Sequence, residues 1–354
     1  MNNFMIPKKN DTYHTVFLRP FVYLSSSVRN STRGICLVLL LQIAMLFITR
    51  SYDSLIVIAA SCAGVFLARF INMLTRKVYY FHVVTTFVQG LIIGFFTPSS
   101  YPPVEIFIIS LAVMLVVDYA FSGFSDSWVN PVAVIVAAAW MFNITSFPSF
   151  QIRMEDLLSN NPSLILIQNG TIPVSSFDSK ITASLNNSIF SLFGVSIPDG
   201  YISMLWDTHS VIPAFRFNLI SLLSSIILIS FDVISPIIPA CYITVYSLLV
   251  FFAEPLFAAG MSGNGDILLA LLTSGTIFSS IFLLQWYGTT PVSVWGKTCY
   301  GCLAGVIAFL LIGCGTSPVG SVFTVIIINV ISLLIQLVEY EFSRRKMQKL
   351  VKNA

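Results

Sequence analysis

The chain has 354 residues, of which 56% are hydrophobic and only 9% are charged, and its mean hydropathy is +0.88. Soluble domains carry about 25% charged residues, so this sequence has too little polar material to cover a globular surface in water. The composition therefore excludes a soluble domain and predicts an all-α polytopic membrane protein.

The basic residues lie mostly at the two ends of the chain, although the net charge is only +3. Residues 1–33 are polar and basic and lack an apolar core, so we expect an arm and not a cleaved signal peptide. A second basic segment, residues 339–354, follows the last apolar run. Lys and Arg beside membrane spans are typical of the cytoplasmic side, and this interpretation is preferred to nucleic-acid binding, so no nucleic-acid partner is expected.

Ten apolar runs are long enough to cross, or nearly cross, about 30 Å of hydrocarbon. They lie at 34–49, 54–70, 81–96, 104–121, 131–147, 217–231, 235–253, 266–284, 298–314 and 320–338. The runs form a first set of five in residues 34–147 and a second set in 217–338, separated by the polar connection 148–216. Because five is an odd number, two related halves would have opposite orientations, which predicts two inverted five-helix repeats.

The distribution of charge gives this topology a direction. Ten spans place both termini on one side, together with the connections that contain Arg69, Arg76, Lys77 and Lys297. An excess of Lys and Arg marks the cytoplasmic side. We therefore expect both termini in the cytoplasm and the connection 148–216 on the outer face.

Polar residues inside apolar runs are the candidates for a cavity or an ion path. Asn130 precedes a proline in "VNPVAV", and Asn329 lies deep in the last run. Gly90 in "TTFVQGLIIGFFTP" and Gly275 in "LLTSGTIFSSIFLLQWYGTTP" occupy similar stretches of the third and eighth runs, where inverted repeats place binding sites. The alternative for all four is close helix packing.

Ionisable residues inside or beside the runs are few, and most lie near predicted span ends, where water or headgroups can reach them. They are Arg69, His82, Asp118, Asp232, Glu254 and Asp266. The pair of cysteines in "CYGC" (299–302) has no second pair or histidine cluster, so no metal site is predicted. Motifs for nucleotide binding or hydrolysis are also lacking.

Four stretches together resemble one family over nearly the whole chain. They are "FVQGLIIGFFTPSSYPP" (87–103), "NPVAV" (130–134), "GDILLALLTSGTIFSSIFLLQWYGTTPVS" (265–293) and "GKTCYGCLAGVIAFLLIGCGTSPVGSVFTVIIINVISLLI" (296–335). They are similar to RnfD, a membrane component of the Rnf ion-translocating oxidoreductase, and to its relative NqrB of the sodium-pumping NADH:quinone oxidoreductase. The resemblance implies a bacterial inner-membrane protein that couples electron transfer to movement of Na⁺ or H⁺ as part of a multi-subunit complex.

The resemblance also implies a covalent FMN, which a flavin transferase attaches through a phosphoester to a threonine of the outer loop. The family motif is roughly Asp-Gly-x-Ser/Thr-Gly-Ala-Thr. Aligning "DSKITASL" (178–185) with it places Asp178 on the Asp, Ala183 on the Ala and Ser184 on the flavin-bearing Thr, with Thr182 as an alternative acceptor. Serine keeps the hydroxyl that the ester requires.

Three motifs depart from the family pattern. Ser179 and Ile181 replace the first Gly and the first hydroxyl residue of the flavin motif, "AFRFNLIS" (214–221) lacks a glutamate, and "TTPVS" (289–293) lacks an aspartate. The sequence thus leaves three hypotheses. The chain is a component that carries FMN, covalently or with a further noncovalent flavin; a flavin-free scaffold or ion path of the complex; or a stand-alone small-solute transporter or channel.

Overall fold

The computed structural model describes residues 5–6, 14–15, 27–76, 82–120, 128–148, 168, 170, 173–194, 196–257, 265–313 and 317–353. Most of the predicted basic arm and residues 149–167 of the predicted outer connection lie outside the described residues. So do Lys77, Cys314 and most of the connection between the seventh and eighth runs.

Within these residues the chain forms thirteen α-helices. They are α1 Val28–Ile48, α2 Tyr52–Arg76, α3 Val83–Phe96, α4 Pro103–Ala120, α5 Pro131–Phe142, α6 Asp178–Ser188, α7 Tyr201–Trp206, α8 Asn218–Ser230, α9 Ile237–Phe257, α10 Ile267–Thr273, α11 Thr276–Phe282, α12 Val294–Ile312 and α13 Gly320–Asn353. Short 3-10 helices lie at Ile144–Ser146, Phe190–Phe193 and Pro213–Phe215, and two antiparallel strands, β1 Met5–Ile6 and β2 His14–Thr15, pair near the N-terminus.

Each of the ten predicted runs coincides with one helix, except that the eighth run is divided into the two short helices α10 and α11. Five helices, α1, α2, α4, α12 and α13, are long and apolar enough to cross a bilayer, and α3, α5, α8 and α9 are shorter apolar helices. These observations confirm the prediction of an all-α polytopic membrane protein.

The third and eighth runs form the centre of the molecule. Every residue of α11 is buried, as are most residues of α3 from Thr85 to Phe96. The two helices meet through aromatic rings, with Phe278 5.6 Å from Phe95 and 5.5 Å from Phe96 between ring centroids. The other helices of the chain therefore enclose α3 and α11.

The segments that connect the spans form two groups, and contacts occur only within a group in the examples below. A ten-span topology requires such an arrangement, with one group on each side of the membrane. In one group, Arg216 binds Ser51 and the Ser99 amide donates to the Val211 carbonyl. In the other, the hydroxyls of Thr32 and Tyr287 are 3.0 Å apart. Each contact joins connections that the ten-span topology places on the same side, and the cytoplasmic identity of the second group stays a prediction.

Equivalent helices of the two halves also pack alike. Helix α2 packs on α4 in the first half, and α9 packs on α12 in the second. Both contacts use glycine, because a Cβ at Gly64 would lie 2.6 Å from the Phe107 carbonyl oxygen, and one at Gly301 would lie 2.8 Å from the Cys241 Cβ. Across the halves, α1 contacts α8 and α5 contacts α13. The inverted relation and the domain boundaries remain predictions that this arrangement suits.

Candidate functional site

The stretch aligned with the flavin motif opens helix α6, and the carboxylate of Asp178 fixes this helix to the start of α7. Oδ1 accepts hydrogen bonds from the Gly200 amide (2.9 Å) and the Thr182 hydroxyl (3.0 Å). Oδ2 accepts from the Ser203 amide (2.6 Å) and the Ser203 hydroxyl (2.5 Å). Asp178 is fully buried, and four donors satisfy its charge. The aspartate of the motif is therefore the anchor that holds α6 in place.

The surroundings of Asp178 act on its pKa in opposite directions. Burial raises the pKa, whereas the hydrogen bonds from Gly200, Ser203 and Thr182 lower it, and the net pKa lies below the ordinary value for aspartate. Because the folded protein binds this proton less tightly than the unfolded chain does, the ionised carboxylate stabilises the fold above the ordinary pKa of about 3.9. That stabilisation is lost as the pH falls through the folded pKa.

We expect acidification from pH 5 to pH 3 to loosen the contact between α6 and α7, measured as faster hydrogen exchange of peptides covering 178–206 after correction for intrinsic rates. In Asp178→Asn, the NH2 group of the new side chain faces hydrogen-bond donors at a position where a carboxylate oxygen accepted hydrogen bonds. This mismatch weakens the contact between α6 and α7 by about 1–3 kcal/mol at neutral pH. The variant should exchange fast at both pH values and lose the acid dependence. An unchanged acid dependence in Asp178→Asn would assign it to another group.

The two hydroxyl residues of the motif lie on opposite faces of α6. Residues two positions apart on a helix point about 200° apart, and Thr182 is buried while Ser184 and Ala183 are exposed. The Thr182 hydroxyl is already engaged with Asp178. An enzyme that modifies α6 from outside can therefore reach Ser184 but not Thr182.

An apolar cavity of about 290 Å³ lies beneath the opposite, buried face of α6. Thr182 and Leu185 of α6, Tyr201 of α7, Leu268 of α10 and Ile277 of α11 are among the residues that line it. The Tyr201 hydroxyl donates to Asp266 at the start of α10. The outer helices α6 and α7 are thus attached to the eighth span, with the cavity between them.

The eighth span breaks at Ser274 and Gly275, one of the predicted path residues. Gly275 has φ +66°, a left-handed conformation that glycine adopts without the steric penalty of other residues. The break exposes carbonyl groups, and the Asn218 amide donates to the Leu272 carbonyl (2.8 Å) and to the Met204 carbonyl at the end of α7 (3.1 Å). A side-chain amide from α8 thus replaces part of the lost helical bonding, as a broken span requires within a bilayer.

The C-terminal end of the broken span, at Leu283 and Leu284, contacts two other predicted residues or their neighbours. The Asn130 carboxamide accepts from the Val132 amide (3.0 Å) and donates to the Leu283 carbonyl (2.8 Å). Tyr300 donates to the neighbouring Leu284 carbonyl (3.0 Å) and lies 3.2 Å from Asn329 Oδ1. Asn329 is buried, and its Nδ2 has no hydrogen-bond partner among the described residues.

Gly90, the fourth predicted path residue, packs against Cys62 of α2. A Cβ at Gly90 would be 2.6 Å from the Cys62 Cα, so the glycine permits close approach of α3 to α2. Its position is that of a packing residue, and the proposed role in an ion path stays a prediction.

A largely buried ion pair joins α2 to α4 near their C-terminal ends. Arg69 lies 2.8 Å from Asp118, and their side chains are 15% and 2% exposed. The Asn72 amide is 3.4 Å from Asp118, and Arg69 also lies 3.5 Å from the Gln89 Oε1. Gln89 Nε2 and Asn72 Oδ1 have no hydrogen-bond partner among the described residues. Asp118 is thus buried within the protein, whereas Arg69 stays partly exposed; the expectation that water or headgroups reach most of the ionisable residues stays a prediction.

Comparison with known proteins supports the resemblance. The model described as the NQR2, RnfD, RnfE family matches residues 15–343. No curated protein matches the chain significantly. Within the described part of the chain, no three His, Cys, Asp or Glu side chains are grouped so that they could hold a metal ion.

Proposed function

Because the chain belongs to the NQR2, RnfD, RnfE family, whose members are membrane subunits of Rnf- and Nqr-type ion-translocating oxidoreductase complexes, we propose that it carries FMN as a phosphate ester on Ser184. Bound FMN would accept and donate electrons. The protein would couple that transfer to movement of Na⁺ or H⁺, in a bacterial inner membrane with both termini in the cytoplasm.

The observation that carries this proposal is the exposure of Ser184 on an anchored helix. Its hydroxyl is accessible to a flavin transferase, and Asp178 fixes the helix that presents it. The residues at the site therefore fit a covalent phosphoester. Ile181 and Phe177 are also exposed and, by their helical spacing, lie on the same face of α6 as Ser184. A flavin on Ser184 would project away from this chain, so its redox partner would belong to another protein of the complex.

Buried polar groups in both halves of the chain support a role in ion coupling. A charged residue inside a membrane span costs free energy, and such residues typically mark ion pathways. Arg69, Asp118 and Gln89 form such a group on α2, α4 and α3. Asn130 and Asn329 form a second one beside the broken span. These residues would line the path of Na⁺ or H⁺ through the protein.

We expect the chain, made together with its flavin transferase, to show covalent flavin fluorescence in a denaturing gel, and Ser184→Ala to abolish it. The ester needs a hydroxyl, so Ser184→Thr should retain the signal. Peptide mass spectrometry of residues 178–190 would locate the modification. The readout requires neither the other proteins of the complex nor electron transfer.

Ser188→Ala is the matched control, since Ser188 is also exposed and lies one turn further along α6. Its fluorescence should equal that of the unchanged chain. Fluorescence that persists in Ser184→Ala and disappears in Thr182→Val would identify Thr182 as the carrier. No covalent flavin in the unchanged chain would favour the flavin-free scaffold, an alternative that the replacements at Ser179 and Ile181 support.

A further inference from the structure

The apolar cavity beneath α6 contains polar groups only at its margin, and each of them already has a partner. Thr182 donates to Asp178, and Tyr201 donates to Asp266. The Asn186 carboxamide exchanges two hydrogen bonds of 2.9 Å with the backbone of Ile197. A ligand with a polar ring edge, such as a flavin, would lose its hydrogen bonds to water there and gain none in return. The cavity therefore suits a hydrocarbon and does not fit a noncovalent flavin.

The size of the cavity also suits a chain. Its volume of about 290 Å³ is roughly twice that of an engineered apolar cavity that binds benzene, about 150 Å³. Along the eighth span, the lining extends from Leu268 of α10, across the break at Gly275, to Ile277 of α11. The cavity is thus extended along the span, as a hydrocarbon chain requires.

The flank of the cavity is continuous with the surface that faces lipid. Leu222 of α8 and Leu268 of α10 line the cavity and are also 37% and 41% exposed. Leu223 and Ile226 continue the exposed apolar face of α8. An occupant can therefore enter sideways from the bilayer, without crossing a polar surface.

We propose that this cavity binds one acyl chain of a bilayer phospholipid in the outer leaflet, between α6 and the sixth, seventh and eighth spans. The chain fills the space between α6 and the membrane helices and so supports the helix that presents Ser184. The inference rests on the membrane-spanning fold and the cavity, and it holds whether or not Ser184 carries a flavin.

The first test measures lipid retained by the purified full chain after extended detergent washing, by native mass spectrometry. We expect one phospholipid per chain. Leu271→Trp places a large side chain in the cavity and should lower the retained fraction at least about tenfold, because a filled cavity has no room for the acyl chain. Leu223→Trp, on the exposed lipid face of α8, is the matched control and should retain the phospholipid.

A second test needs no substitution in the cavity, in case Leu271→Trp does not fold. The unchanged chain is reconstituted in phosphatidylethanolamine and phosphatidylglycerol vesicles that contain a phosphatidylethanolamine with a diazirine on one acyl chain. Photolysis should label peptides of α6 and α10 more strongly than peptides on the exposed face of α12.

Three results would overturn the proposal: equal lipid retention in Leu271→Trp and the unchanged chain, uniform photolabelling, or retention of a quinone in place of a phospholipid. Ser184→Ala should retain the lipid, which separates this result from the flavin proposal.

Discussion

Asp118→Asn is expected to destabilise the protein by about 3–5 kcal/mol, because it removes the carboxylate that lies 2.8 Å from the largely buried Arg69 guanidinium. Asp118 is buried and Arg69 is only 15% exposed, so solvent can replace the carboxylate only in part. Thermal unfolding in detergent, followed by fluorescence-detected gel filtration, should show an apparent Tm about 5–10 °C lower. Arg69→Gln should also lower the apparent Tm, because it removes the guanidinium that lies 2.8 Å from Asp118.

The control is an ion pair of the same chemistry at the surface. Arg345 lies 3.0 Å from Glu341 on the last helix, and the two side chains are 70% and 45% exposed. Exposed pairs contribute at most about 1 kcal/mol, so Glu341→Gln should leave the apparent Tm within about 2 °C of the starting value. An equal loss in Asp118→Asn and Glu341→Gln would contradict the assignment of a buried charge.

A charge reversal separates a structural tie from an ion path. The double variant Arg69→Asp, Asp118→Arg restores opposite charges between α2 and α4, so part of the lost stability should return. Redox-driven Na⁺ or H⁺ uptake by vesicles containing the whole complex should remain impaired, because the carboxylate now lies on another helix. Recovery of both stability and transport would assign the pair a purely structural role.

The helices of the bilayer were the most predictable part of this fold. An apolar run must form a helix in hydrocarbon, because every backbone hydrogen bond has to be made within the segment. All ten runs accordingly coincide with helical segments. The break in the eighth run at Gly275 was not predicted, although the sequence "TSGT" contained a signal for it. Polar residues beside a glycine inside an apolar run are compatible with a break, but close packing explains them equally well from the sequence alone. The left-handed φ of +66° at Gly275 identifies the break.

The candidate flavin site was predictable only at the one residue whose side-chain chemistry the phosphoester requires. Ser184 follows from the need for a hydroxyl, and its exposure agrees with that need. The helix α6 did not follow, since its sequence has no apolar face strong enough to predict a helix, and its stability depends on contacts between Asp178 and residues more than twenty positions away. The pairing of Arg69 with Asp118 is also a long-range contact, but the ten-span topology places both residues at the same membrane side and could have suggested it.

Gly275→Ala is expected to destabilise the chain by about 3 kcal/mol or more, since it combines backbone strain with a clash. A left-handed conformation costs a non-glycine residue about 1–2 kcal/mol, and overpacking in a core typically adds about 1–3 kcal/mol. The added Cβ would lie 2.1 Å from the Phe215 ring, which is itself buried against Phe96 at a centroid distance of 6.4 Å. The apparent Tm in detergent would report the loss.

Gly194→Ala isolates the strain, because Gly194 has nearly the same φ of +65° but no atom within 4 Å of an added Cβ. Its destabilisation should stay at about 1–2 kcal/mol. The double variant Gly275→Ala, Phe215→Ala removes the ring from the clash, so its loss should be smaller than the sum of the two single losses. Equal effects at Gly194 and Gly275, or strict additivity in the double variant, would show that the ring does not constrain the break. Coupling between the two positions would show that the geometry of the broken span depends on the residues that enter the sixth span, where this chain carries "AFRFNLIS".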